Sequence, residues 1–257
     1  MRTIGLTVMS GLLLPLLAHG DDAASLSAAP PSGWTGKGQA GYVSSQGNAQ
    51  SKSANAALDA SLATAPWKHQ FHVGGLYGQS TGLVSAERWD TAWQSSYDLS
   101  ASLFTFAGLR YARDLFSGFD YQATGSGGLG YKVFDTPVTK LTVQVGAGYR
   151  RLRPELLIKN PAGAVIGRVP EPAQSSAIGT FGADYSQVLS NTTTLSDKLL
   201  VESGSLDTLV TDTLALAVKV AGKLALSVGY AIQHNTKPPA GLKRTDTLET
   251  VNLVYSF

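Results

Sequence analysis

His69, His72 and His234 are the histidines that follow the first twenty residues of the chain. Histidine is the side chain best suited to moving a proton near neutral pH, so a search for chemistry starts with them. In a β-strand, residues two apart share a face. A serine activated by a strand neighbour would therefore read His-x-Ser, but the residues two beyond these histidines are Phe71, Gly74 and Thr236. An Asp-x-His proton relay is missing in the same way, because Trp67, Gln70 and Ile232 stand two before them. His69 and His72 differ in parity and make no metal pair on one face of a strand. The chain has no cysteine, which removes disulfides, Cys-based zinc sites, thiol catalysis and lipidation of an N-terminal Cys. Gly125-Ser126-Gly127-Gly128 is rich in glycine, but no helix follows, so it is no phosphate cradle. A strand of small residues that bends or packs closely is the expected reading. The expectation is a chain without catalytic residues, metal ligands or cofactor.

The elements that would carry these residues are strands. From Gly33 to Phe257, segments of ten to fourteen residues alternate apolar with polar or small side chains, the period of a strand with two different faces. In Lys223–Gln233, Leu224, Leu226, Val228, Tyr230 and Ile232 take one face and Ala225, Ser227, Gly229, Ala231 and Gln233 the other. Leu141–Arg150 and Trp89–Asp98 repeat the pattern. About twelve strands are predicted, over 33–46, 48–63, 68–80, 85–98, 100–113, 118–133, 138–151, 173–189, 192–204, 207–220, 223–235 and 244–257. The fifth is weak because Phe104 and Phe106 are out of phase with Leu109 and Tyr111, and the ninth alternates poorly.

The first twenty residues read as a secretory leader. Arg2 supplies positive charge, Ile4 to Leu17 is apolar, and Ala18-His19-Gly20 places small residues for cleavage between Gly20 and Asp21. The run is shorter than the ~20 residues a helix needs to cross a bilayer. Residues 21–32, with Pro30 and Pro31, read as a flexible lead-in, and 33–257 as one barrel domain. Only 15% of residues are charged, against about a quarter in soluble domains. A net charge of +2 gives no strong pull toward nucleic acid.

Connection lengths suggest an orientation. The second (64–67), eighth (near 190) and tenth (near 221) are tight, whereas the seventh (154–172, with four prolines) and eleventh (236–243, with Pro238-Pro239) are long. Proline cannot donate to a ladder, so 154–172 is predicted as loop. Outer-membrane barrels have short periplasmic turns and longer external loops. The expectation is an up-and-down transmembrane barrel with both termini periplasmic and 154–172 and 236–243 at the cell surface. A soluble barrel would need many Lys and Glu on its polar face, where this chain has Gly, Ala, Ser and Thr with a few Gln, Arg and Asp. Aromatics gather near strand ends, as in bilayer girdles: Trp34, Trp67, Tyr97, Tyr131, Phe134 and Phe257 at one end, Tyr77, Trp89, Tyr121 and Tyr149 at the other. In the last strand Val251, Leu253, Tyr255 and Phe257 alternate to the chain end, with Glu249 on the same parity. This resembles the terminal signature that barrel-assembly machinery reads, with Tyr255 and Phe257 as the signal. The surroundings implied are outer-membrane lipid and lipopolysaccharide; no pattern sets an oligomeric state.

Trp34-Thr35-Gly36-Lys37-Gly38, Gly41, Gln46-Gly47-Asn48, Glu87-Arg88-Trp89, Arg113-Asp114, Gly128-Leu129-Gly130-Tyr131 and Gly146-Ala147-Gly148-Tyr149, in that order, resemble the domain-of-unknown-function 481 family. Its members are described as salt-induced outer-membrane proteins. The resemblance implies a fold, an outer-membrane location and a link to salt stress, and brings no catalytic residues.

By parity, Arg88, Asp90, Gln94, Asp98, Asp120, Gln122, Lys132, Gln144, Arg150 and Asn252 face the lumen. Mixed charges within about twelve strands, well short of the 16–18 of open porins, lead to a non-enzymatic barrel with a narrow or plugged lumen. A narrow channel for small solutes or ions is the alternative.

Overall fold

The computed structural model describes residues 33–257 except 46–50, 116 and 162–164. The leader, the Gly20–Asp21 cleavage site and the lead-in to residue 32 lie outside the described residues. The elements are β1 (Gly33–Ser45), β2 (Ser51–Thr64), β3 (Trp67–Ser80), β4 (Leu83–Asp98), β5 (Leu103–Asp114), β6 (Phe119–Asp135), β7 (Thr139–Lys159), β8 (Val165–Pro170), β9 (Gln174–Val188), β10 (Thr193–Gly204), β11 (Thr208–Ala221), β12 (Leu224–Asn235) and β13 (Thr245–Ser256).

Each strand pairs antiparallel with its neighbours around a ring. β7 passes from β6 to β9, and β13 returns to β1 from Lys37↔Ser256 to Ala40↔Leu253. Phe257 completes the seam, donating from its amide to Gly36 O (2.9 Å) and accepting from Gly36 N (3.1 Å). β8 pairs only with Glu155–Lys159 of β7. Twelve strands therefore form a closed barrel, and the β7–β8 hairpin extends beyond its rim. Closure matters because an open edge leaves a row of backbone donors and acceptors unpaired. Gly33 and Phe257 lie at one end, the terminal end; the other is the far mouth.

The barrel is apolar outside and polar inside. In β12, Leu226 and Val228 are about half exposed, whereas Ser227, Ala231 and Gln233 are buried. The same alternation runs through β9, where Ser176, Ile178, Thr180 and Asp184 are inward and Phe181 is outward and exposed.

Several expectations need correction. Residues 154–172 are not a loop: they contain the end of β7, the turn and β8. The prolines fall where the ladder changes partner. Pro154 faces Phe119 at the end of the β6 ladder, and its carbonyl accepts from Glu171 N (2.8 Å). Pro170 ends β8 and Pro172 lies between β8 and β9. β5 and β10 are strands paired on both sides despite their poor alternation, β5 with one register shift against β6 between Ala112 and Asp114. The far mouth also has tight connections, Thr81-Gly82 and residues 205–207, beside the long 236–244, so length does not segregate cleanly by end.

Candidate functional site in the barrel interior

Inward side chains from β2 round to β13 are withdrawn from solvent. Gln70, Arg150 and Thr211 are almost wholly buried, and Asp90, Gln144, Glu202 and Asn252 nearly so. In a water-filled pore such groups would be wet. Several of the buried charged residues meet each other in two groups.

The first lies on adjacent strands. His72 of β3 reaches Asp59 of β2 through Nδ1 (2.6 Å) and Asp90 of β4 through Nε2 (3.4 Å). Arg88 donates to Asp90 (3.2 Å), and Lys37 of β1 stands 3.7 Å from Asp59. Gly74 makes room for the ring, since a Cβ there would lie 2.7 Å from His72 Nε2. With a carboxylate on each ring nitrogen, His72 has none left for a substrate, so the group orders the wall and does not form a general base.

The second group spans the lumen. Arg110 of β5 pairs with Glu202 of β10, 92 residues away and four strands round the ring. Arg150 of β7 lies near the pair and is itself paired with Asp207, which also accepts from Asn235 Nδ2 (3.0 Å). Toward the terminal end, Phe104 and Phe106 of β5 point inward and are buried, among polar residues such as Gln94 and Gln144. Gly130 lies beneath the Phe104 ring, where any Cβ would overlap it.

The far mouth is covered. In the 236–244 connection, Pro239 and Leu242 pack on Gly118, which stands between β5 and β6 on the opposite side of the ring; a Cβ on Gly118 would be 2.6 Å from Leu242 Cδ1. From β8, Arg168 Nε donates to Leu115 O (3.0 Å). Asp246 lies on the mouth side of the Tyr230↔Glu249 pair, and burial together with nearby Asp114 pushes its carboxyl up to about 6, Lys243 opposing.

Of the residues singled out by parity, Arg88, Asp90, Gln94, Gln122, Gln144, Arg150 and Asn252 are buried. Lys132 pairs with Asp98 (3.0 Å) in a more exposed position. Asp120 departs from the parity reading: a register shift between Phe119 and Tyr121 turns it toward Arg113 and Arg153, 3.6 Å from each, on the outward face. Parity reasoning omitted Asp59, His72, Arg110 and Glu202. Their partners stand on other strands, and a single-strand pattern such as His-x-Ser does not reveal them. His69 is outward and stacks on Trp67 (5.9 Å between centroids). Among the described residues no group of three or more acidic, His or Cys side chains could hold a metal. Tyr255 and Phe257 face outward and are about half exposed.

A family model described as "Protein of unknown function, DUF481" matches residues 38–257. No curated protein matches the sequence. Similar solved structures include the translocator domain of the autotransporter NalP from Neisseria meningitidis, 15% identical with a TM-score of 0.47, covering 89% of this chain and 90% of that one. NanC porin is 9% identical with a TM-score of 0.47, over 87% of this chain and 98% of that one. KdgM porin is 12% identical with a TM-score of 0.41, over 87% and 99%.

Proposed function

The chain belongs to the DUF481 family, and from that premise we propose that it is an exported, non-enzymatic barrel of the bacterial outer membrane with a closed lumen. The observation that carries the closed lumen is the buried Arg110–Glu202 pair across the interior. Two more closures support it, Phe104 and Phe106 near the terminal end and the 236–244 connection over the far mouth. The membrane reading rests on the exposed apolar face, which needs lipid to cover it, and on aromatics at both rims. Trp67 meets Tyr97 edge to face at one rim (4.9 Å), and Trp89, Tyr111 and Tyr121 form a row at the other (5.1 and 6.0 Å). No helix among the described residues is long and apolar enough to cross a membrane; the strands would cross it.

In this reading the leader is removed after Gly20, both termini are periplasmic, and the β7–β8 hairpin and 236–243 face the outside. N-terminal sequencing from outer membranes tests the first point: Asp21 is expected, and a retained Met1 contradicts export. An epitope beside Ala240 should be labelled on intact cells; labelling only after permeabilisation inverts the topology. Tyr255 and Phe257 would serve as the assembly signal, so deleting Phe257 should reduce the heat-modifiable barrel in outer membranes, and normal accumulation contradicts that role. A salt-stress role rests on the family resemblance alone, and growth of a deletion strain in high salt tests it. The decisive experiment for the closed lumen is planar-bilayer recording. Wild-type protein should insert without steady conductance; a stable open level would favour a narrow channel instead.

A further inference from the structure

We propose that the outward face of β3–β7 binds one anionic membrane phospholipid, its acyl chain lying in a slanting groove and its headgroup held by arginines at the far mouth. This rests on the membrane reading above. The groove follows two adjacent cross-strand rows. One runs Phe71↔Trp93↔Leu109↔Gly125↔Tyr149 and the next Val73↔Thr91↔Tyr111↔Ala123↔Arg151. Every residue in both rows is outward by parity. Because the strands tilt in a barrel, the rows climb from Phe71, near the start of β3, to Tyr149 and Arg151, near the far mouth. The floor is low because Ala123 and Gly125 have little or no side chain, and Trp93, Leu109 and Tyr149 form walls around a hollow of about 460 Å³.

A second hollow of about 480 Å³ adjoins it beyond the girdle, lined by Tyr121, Arg151, Arg153, Glu171 and two prolines. Arg151 borders both hollows. It is exposed and donates through Nε to Tyr121 OH (3.3 Å). Arg153 donates through Nε to Glu171 O (3.3 Å) and shares Asp120 with Arg113. Three guanidiniums thus stand with two carboxylates, Asp120 and Glu171, at headgroup height. A guanidinium fork matches a phosphate bidentately, and the apolar hollow just inside the girdle accepts a chain, not a second charge. An apolar trough ending in an arginine cluster is complementary to an anionic amphiphile.

The test is native mass spectrometry of the full chain released from mixed micelles with equal phosphatidylglycerol and phosphatidylcholine. One phosphatidylglycerol should be retained, several-fold in preference to phosphatidylcholine. Arg151→Gln with Arg153→Gln should bring the preference to parity, and Gly125→Leu, which fills the floor, should lower retention of the anionic lipid. Equal retention of both lipids by wild-type protein overturns the inference, as does unchanged retention in Gly125→Leu. A chain that never enters lipid contradicts the membrane reading itself, so the two failures are distinguishable.

Discussion

Two buried ionic groups share the interior and differ in what they connect. The His72 group joins four neighbouring strands, with Lys37, Asp59, His72, Arg88 and Asp90 on β1 to β4. These strands are already held side by side by backbone ladders, so their charges order a wall that exists without them. The Arg110–Glu202 pair joins strands that share no ladder. It is a tie across open space, and its loss cannot be compensated by the sheet. Similar chemistry in one lumen thus takes two forms: one group orders side chains along the wall, the other links strands across the interior.

The largest effect should come from splitting the tie. Glu202→Ala leaves Arg110 buried without its carboxylate. Removing one partner of a buried ion pair typically costs about 3–5 kcal/mol, so chemical unfolding should show a loss of that order together with a new conductance. The double variant Arg110→Met/Glu202→Leu, which replaces the charges by packing apolar groups, should recover most of the stability and remain closed. An open double variant would mean that charge, and not filled space, seals the barrel. His72→Gln should do less. It leaves Asp59 and Asp90 short of donors at a cost of about 1–3 kcal/mol, seen as an earlier unfolding midpoint with no new conductance. Conductance from His72→Gln would erase the distinction between the groups. Gly74→Ala, which crowds the same imidazole, should act in the same direction and overlap with His72→Gln in a double variant, where the two losses should not add.

The smallest effect concerns the mouth. Asp246 has a folded pKa of about 6 against 3.8 unfolded. An acid with a raised folded pKa is stabilising when protonated, so its contribution is complete below pH 4 and is lost as pH rises through about 6. Wild-type protein should therefore gain slightly in thermal stability between pH 7 and 5, and Asp246→Asn should flatten that rise. An unchanged slope in the variant would assign the dependence to another group.

The strands were legible because lipid-type and lumen-type faces alternate with a period of two, so Leu224–Gln233 declares its geometry locally. Parity also singled out Arg88, Asp90 and Arg150, which are buried. It failed at Asp120, because one register shift exchanges faces and carries no local signal. Phe104 and Phe106 looked like errors of phase because they are apolar residues facing inward; aromatic rings inside the barrel break the rule that apolar means outward. The hub at His72 was hidden because its partners are 13 and 18 positions away on other strands, and Arg110–Glu202 is set only by barrel closure. The hairpin of β7 and β8 was hidden by its prolines, which sit at ladder ends where no donor is needed.

The proposed closed lumen is tested most directly by chemical access. The chain has no cysteine, so Thr180→Cys places a single thiol at a buried inward position of β9 with little change in volume. With the folded barrel in vesicles, a small water-soluble thiol reagent should leave Cys-substituted Thr180 unmodified, and the same substitution combined with Glu202→Ala should react. Prompt modification in the otherwise wild-type barrel would contradict a closed lumen.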